Sequence, residues 1–145
     1  MSTTEPVIFF IDRCLGRVTV PKALREAGAT VEIHDDHFPQ NIRDEDWLIE
    51  VGNRQWVVLT KDERMGYRTS QLLSIVQANV RVFVFASTNL SGDAIALTFV
   101  NTLPKMTRFA LNNQPPFIAK IYHPGRVTPW INNTKMLRKI EPYTR

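Results

Sequence analysis

The chain has 145 residues, 43% of them hydrophobic and 22% charged, the size and balance of one soluble globular domain rather than a disordered chain. A single cysteine, Cys14, excludes an internal disulfide framework and a multi-cysteine zinc site, and neither a secretory leader nor an apolar run of membrane-spanning length is visible, so a cytoplasmic protein is expected. The net charge of +4 is unevenly spread: residues 1–101 hold 10 basic and 13 acidic residues, whereas residues 102–145 hold 8 basic residues and one acid, Glu141.

Val7 to Ile11 reads VIFFI, a short apolar run that predicts a buried strand ending at Asp12. A helix follows over Val18 to Ala27, with Pro21 near its start and Gly28 just past its end. Thr30 to Ile33 predicts a second strand, running into His34, Asp35 and Asp36. Asp44, Glu45 and Asp46 then open a helix carrying Trp47, Leu48 and Val51 on one face, since acids in a first turn suit the helix dipole. Trp56 to Leu59 is a third strand, followed at once by Thr60, Lys61 and Asp62. A helix over Ser70 to Ala78 and a strand over Val80 to Phe85 come next. A helix from Asp93 to about Asn101 is expected to be interrupted at Pro104, with the pattern resuming weakly through Met106, Phe109 and Leu111. Phe117 to Tyr122 is a fifth strand, and the end from Thr128 is basic and poorly periodic.

Strands alternating with helices, and reading as apolar runs, predict a mostly parallel sheet covered on both faces. Ligands of such sheets bind beyond the carboxyl ends of the strands. Three of those ends carry acids: Asp12, Asp35 with Asp36, and Asp62, and the helix start at Asp44 to Asp46 faces the same edge. Carboxylates crowded at one edge repel, and a hard divalent cation such as Mg2+ or Mn2+ relieves that cost. A metal held there suits phosphodiester hydrolysis. Each acid also has a plain structural role open to it: Asp44 as a helix cap, Asp62 as a turn residue, Asp46 as a solvated charge. His34 and His37 flank the second acidic pair and are either ligands or surface loop residues. No Walker A, G-x-G-x-x-G, G-x-S-x-G or H-E-x-x-H pattern is present. Near the end, Lys105, Arg108, Lys120, Arg126, Lys135, Arg138 and Lys139 are interleaved with Phe109, Tyr122, Trp130 and Tyr143. That mixture suits single-stranded RNA, or else the aromatics are core.

FFIDRCLG, VPKALREAGATVEIHDDHFPQ, DEDWL and WVVLTKDERM, in this order, resemble the PIN-like domains of VapC-type toxins. The resemblance covers residues 7–122 and is most specific over 7–67. It implies a three-layer α/β/α fold with a mostly parallel central sheet, over residues 1–125, followed by a basic C-terminal tail, 126–145. It implies a Mg2+- or Mn2+-dependent endoribonuclease, the toxin of a toxin–antitoxin pair held by a cognate antitoxin, and a homo-oligomer. Carried over by position, Asp12 and Asp62 match the family's first-strand acid and its T-x-D acid. Asp44 or Glu45 matches the helix-start acid, with Asp44 preferred as the catalytic member. The fourth acid has no clear counterpart, and Asp93, in a Ser-Gly-Asp turn, is the candidate. The expected metal ligands are therefore Asp12, Asp44, Glu45, Asp62 and Asp93, with Asp36 as a further helper, and Arg13, Lys61, Arg64 and Arg68 are expected to meet RNA. The missing fourth acid leaves a second class open, a PIN-like module that acts by contact without cutting.

Overall fold

The computed structural model describes residues 7–144; the first six residues of the expected 1–125 domain, and Arg145, lie outside it. The elements run β1 (Ile8–Ile11), α1 (Thr19–Glu26), β2 (Thr30–Ile33), α2 (Asp44–Asn53), β3 (Val57–Thr60) and α3 (Thr69–Gln77), then β4 (Arg81–Phe85), α4 (Gly92–Asn112), β5 (Phe117–Tyr122), β6 (Arg126–Ile131) and α5 (Asn133–Ile140). The six strands form one sheet in the order β2-β1-β3-β4-β5-β6. All neighbouring pairs are parallel except β5 with β6. This is the expected α/β class with helices on both faces.

Alternate residues of each strand feed two cores. Phe9, Ile11, Leu59, Phe83 and Phe85 meet Val20 and Leu24 of α1 and Phe99 and Met106 of α4. Phe10, Val58, Val82 and Val84 meet Trp47 and Leu48 of α2, Leu72 and Ile75 of α3, and Met136 and Ile140 of α5. Both faces of the central strands are thus covered, and this is why they read as unbroken apolar runs. Helix α1 stops where Gly28 takes φ +96°, with the Ala29 N–H returning to the Leu24 carbonyl at 3.0 Å.

Two readings of the sequence are corrected here. Helix α4 does not break at Pro104; it runs unbroken through it to Asn112. An interior proline costs roughly 3 kcal/mol of helix stability. The apolar face of α4 offsets it, because Phe99, Met106 and Ala110 are all buried on the sheet on either side of the proline. The poorly periodic end is also folded. β6 pairs antiparallel with β5, and Pro129 sits opposite Ala119 beside a register shift, on an edge strand where a missing N–H is tolerated. Helix α5 then buries Met136 and Ile140. The basic residues from 126 onward thus stand on sheet and helix. Among the described residues, no helix is long and apolar enough to cross a membrane.

Candidate active site at the sheet switch point

The chain turns from β1 outward to β2, then crosses back to place β3 on the other side of β1. Between β1 and β3 the connections diverge, and in sheets of this kind ligands bind beyond the carboxyl ends of the strands at that point. Asp12 stands at the end of β1, and its N–H extends the ladder by donating to the Leu59 carbonyl of β3 at 2.9 Å. Its side chain is held by the last residue of β3: the Thr60 hydroxyl donates to Asp12 Oδ2 at 2.8 Å. The same hydroxyl accepts the N–H of Asp62 at 3.1 Å. Thr60 is fully buried, so one hydroxyl ties the ends of both strands together. Asp12 and Asp62 therefore belong to the same end of the sheet.

Asp12 is only 8% exposed. Burial pushes its carboxyl above the ordinary value of 3.8; hydrogen bonding from Thr60 opposes this, and the negative charge of Asp44 adds to it. Asp44 is the first residue of α2, one place after the N-cap position, which Arg43 occupies. Its carboxylate does not cap the helix. It accepts the Trp47 indole N–H at 2.9 Å and the Gln71 amide N–H of α3 at 3.2 Å. Trp47 and Gln71 are both buried, so Asp44 is fixed from within its own helix and from the next one. Gln71 Oε1 is buried without a hydrogen-bond partner among the described residues. Neither Asp12 nor Asp44 is in a direct ion pair among the described residues, although the Arg64 charge acts on Asp44 from a distance.

The other expected residues are placed differently. Asp62 accepts the backbone N–H of Arg64 at 3.0 Å and its Nε–H at 2.9 Å. Partial burial pushes its carboxyl up, but the hydrogen bonds and charge of Arg64, with Arg68 behind them, outweigh this and hold it below the ordinary carboxylate value. Glu45 lies close enough to Arg43 to stabilise its charge, and Asp46 pairs with Arg43 at 3.2 Å. Asp93 is exposed on the first turn of α4, where Ser91 rather than Asp93 caps by accepting the Ala94 N–H. Asp35 is engaged by Arg13 and Arg17, each at 3.4 Å, while Asp36 is exposed. His37 is paired with Glu32 at 2.6 Å. His34 is buried and packs its ring near Phe10, Phe38 and Trp47. Burial, and then the charge of Arg13, push its pKa down. Lys61 and Arg68 are exposed at the same strand end, as is Arg64.

No group of three or more His, Cys, Asp or Glu side chains is gathered tightly enough to hold a metal among the described residues. The structure brings Asp12 and Asp44 into electrostatic contact, sets Asp62 beside them through Thr60, and leaves Glu45 and Asp93 outside. A pair of hard oxygen donors nonetheless suits Mg2+, which commonly takes one or two carboxylates and fills its remaining positions with water and substrate oxygens. The donor chemistry at Asp12 and Asp44 therefore fits a hard divalent ion.

Cys14, Trp47 and Gln71 are the supporting residues whose contacts spacing alone does not reveal. Although Cys14 as a residue is exposed, its sulfur is enclosed by Asp12 Oδ2 at 3.6 Å, Thr60 Oγ1 at 3.3 Å and the Lys61 N–H at 3.4 Å. That enclosure, with the Asp12 charge, pushes the thiol up to about 11. The Gln71 contact spans 27 residues of sequence and leaves no local signal.

A family model described as a PIN-like domain matches residues 7–87. The chain is 25% identical over 122 residues to a protein of Mycobacterium tuberculosis named "Putative ribonuclease VapC45", an alignment covering 81% of this chain and 87% of that protein. No solved structure matches. The matched segment spans β1 to β4 and contains Asp12, Asp44, Thr60 and Asp62, and by that match the chain belongs to the PIN-like domain family.

Proposed function

We propose that this chain is an endoribonuclease that hydrolyses RNA phosphodiester bonds with Mg2+ or Mn2+ at Asp12 and Asp44, and that it is the toxin of a toxin–antitoxin pair restrained by a cognate antitoxin. The observation that carries the reading is the buried Asp12 carboxylate, set against Asp44 at the switch point with neither carboxylate in a direct ion pair among the described residues. The ribonuclease name of the mycobacterial relative supports the same class. When bound, a hard divalent ion at these carboxylates would offset phosphoryl charge and make water a better nucleophile.

The protein's own groups do the rest. Thr60 holds Asp12 in one rotamer, and Trp47 and Gln71 hold Asp44. Positions fixed by buried partners lose little to reorganisation as charge develops on the phosphate. Lys61, Arg64 and Arg68 meet backbone phosphates, with Arg13 on the other side of β1. A phosphate that draws Arg64 away leaves the Asp62 oxygens available at the same strand end. The expected outcome is metal-dependent cutting of RNA by the purified protein, abolished by Asp12→Asn with the fold retained. Mn2+ should also raise the melting temperature of the parent and not of Asp12→Asn, because a ligand stabilises only the state that binds it. An Asp12→Asn variant that cuts as fast as the parent overturns the assignment.

One observation favours a second reading, a PIN-like module acting by contact alone: Asp62 is tied to Arg64 and no third acid joins Asp12 and Asp44. That reading requires no cutting at any Mn2+ concentration and no metal-dependent shift in melting.

A further inference from the structure

Just past Asp62, the chain makes a 3-10 turn over Glu63–Gly66 and then presents Tyr67 and Arg68 before α3 begins. The Tyr67 N–H and the Arg68 N–H both return to the Arg64 carbonyl, at 2.9 and 3.0 Å. The turn is therefore closed, and Arg64, Tyr67 and Arg68 project from one compact knuckle. Tyr67 is 68% exposed. A single exposed aromatic is ordinary on a protein surface, but this one is buttressed. The Trp130 ring from β6 meets it edge-on, with centroids 5.5 Å apart and planes at 68°. Trp130 is itself wedged against Gly66, where any Cβ would collide with the indole. From its other surroundings the Lys120 ammonium lies 4.0 Å from the indole centroid. The edge contact steadies the phenol ring while leaving much of its surface in water.

We propose that Tyr67 is a stacking platform for an unpaired nucleobase, with Arg64 and Arg68 receiving the phosphates on either side of that base. The site takes single-stranded RNA, and the inference rests on the nuclease reading above. An aromatic ring stacks any base through its π-face, and flanking guanidinium groups follow the backbone. A ring already buttressed on one edge by Trp130, which is itself seated on Gly66, has less freedom to lose on stacking. Three exposed cations, Lys61, Arg64 and Arg68, outnumber the two acids of the segment, Glu63 and the Asp62 that Arg64 pairs. Lys61, Arg64 and Arg68 surround the knuckle and are all exposed, and Arg68 has no direct ion pair among the described residues. The knuckle also follows directly from Asp62, so a base stacked there brings its neighbouring phosphates toward the acidic strand ends. A paired base is inaccessible to the ring, so the site selects unpaired segments.

The test measures binding of the full chain, with divalent ions chelated so that no strand is cut, to a fluorescent single-stranded oligoribonucleotide and to the duplex of the same sequence. Tyr67→Ala should weaken single-strand binding about tenfold, the size expected for one lost base stack, and leave duplex binding within about twofold of the parent. Tyr67→Phe should bind the single strand as the parent does, because the ring and not the hydroxyl carries the contact. In the cleavage assay with Mn2+, Tyr67→Ala should raise KM with kcat nearly unchanged. Unaltered single-strand affinity in Tyr67→Ala, or equal loss on both probes, overturns the stacking site. Retained RNA affinity combined with loss of antitoxin binding also overturns it and makes the knuckle a protein contact. The nuclease reading survives each of these results; it fails separately if the parent binds neither probe and cuts nothing.

Discussion

The Asp12 carboxyl has the opposite pH linkage from most structural carboxylates. Its folded-state pKa lies above the ordinary 3.8, so the folded protein holds this proton more tightly than the unfolded chain. Stability from this group is present in acid and is lost as pH rises through the shifted value. Asp12→Asn removes the buried charge and keeps an oxygen to accept from Thr60, so it should resist urea better than the parent at neutral pH. The advantage should shrink as pH falls toward 3.8. An urea titration at the two pH values checks this, and a variant less stable than the parent at neutral pH refutes it. Asp62 behaves in the usual sense: its pKa is depressed, so its pairing with Arg64 stabilises above the unfolded value and is lost as pH drops through the folded one. Cys14 gives an independent probe of the same charges. A thiol raised from 9.0 to about 11 holds roughly a hundredfold less thiolate at neutral pH, so alkylation by iodoacetamide should be slow in the parent. Asp12→Asn withdraws a neighbouring negative charge and should speed it. An unchanged rate would mean that the carboxylate does not act on the sulfur.

At the scale of elements, the sequence foretold most of what it could signal locally. The run VIFFI ends as a strand at Ile11, and Gly28 ends α1 with the left-handed φ that its lack of a Cβ allows. Asp44 opens α2, but its carboxylate serves Trp47 and Gln71 rather than the helix end. Pro104 misleads because its cost is local while the compensating burial of Phe99, Met106 and Ala110 comes from the sheet. The α2–α3 packing depends on another glycine. A Cβ at Gly52 would lie 2.6 Å from the Ala78 carbonyl oxygen and 2.7 Å from Val80 Cγ2. Backbone cannot yield as a flexible side chain does, so Gly52→Ala should cost about 1–3 kcal/mol through overpacking. Chemical denaturation measures it, and a variant as stable as the parent would show that α2 shifts freely. Because α2 carries Asp44, the same variant should also weaken the metal-dependent cutting proposed above.

For the whole molecule, the order β2-β1-β3-β4-β5-β6 determines where chemistry can sit. The topology reverses between β1 and β3; Asp12 follows the last residue of β1, and Thr60 is the last residue of β3. The basic end of the chain belongs to the same body. Ile131, Met136 and Ile140 are buried with Trp47, Leu72 and Ile118 in one core, and Trp130 supports the turn after β3. Removing residues 126–145 should therefore expose that core, and the shortened chain should aggregate or lose its near-ultraviolet dichroism rather than fold as a smaller domain. A soluble, cooperatively melting product would show that the rest is self-sufficient.

The sequence by itself determined the α/β class, the positions of the first five strands and the acids at their ends. Apolar runs, acids at helix starts, and glycine and proline punctuation are local signals that need no partner. Tertiary structure alone decided which acids meet. Asp12 faces Asp44 across 32 residues of sequence, Thr60 joins the ends of β1 and β3, and Arg64 takes Asp62. Only tertiary structure, too, turned the basic end into an edge strand and a helix. Coulomb repulsion, burial and hydrogen-bond geometry depend on distance in space, and a linear pattern carries that information only where the chain itself is close.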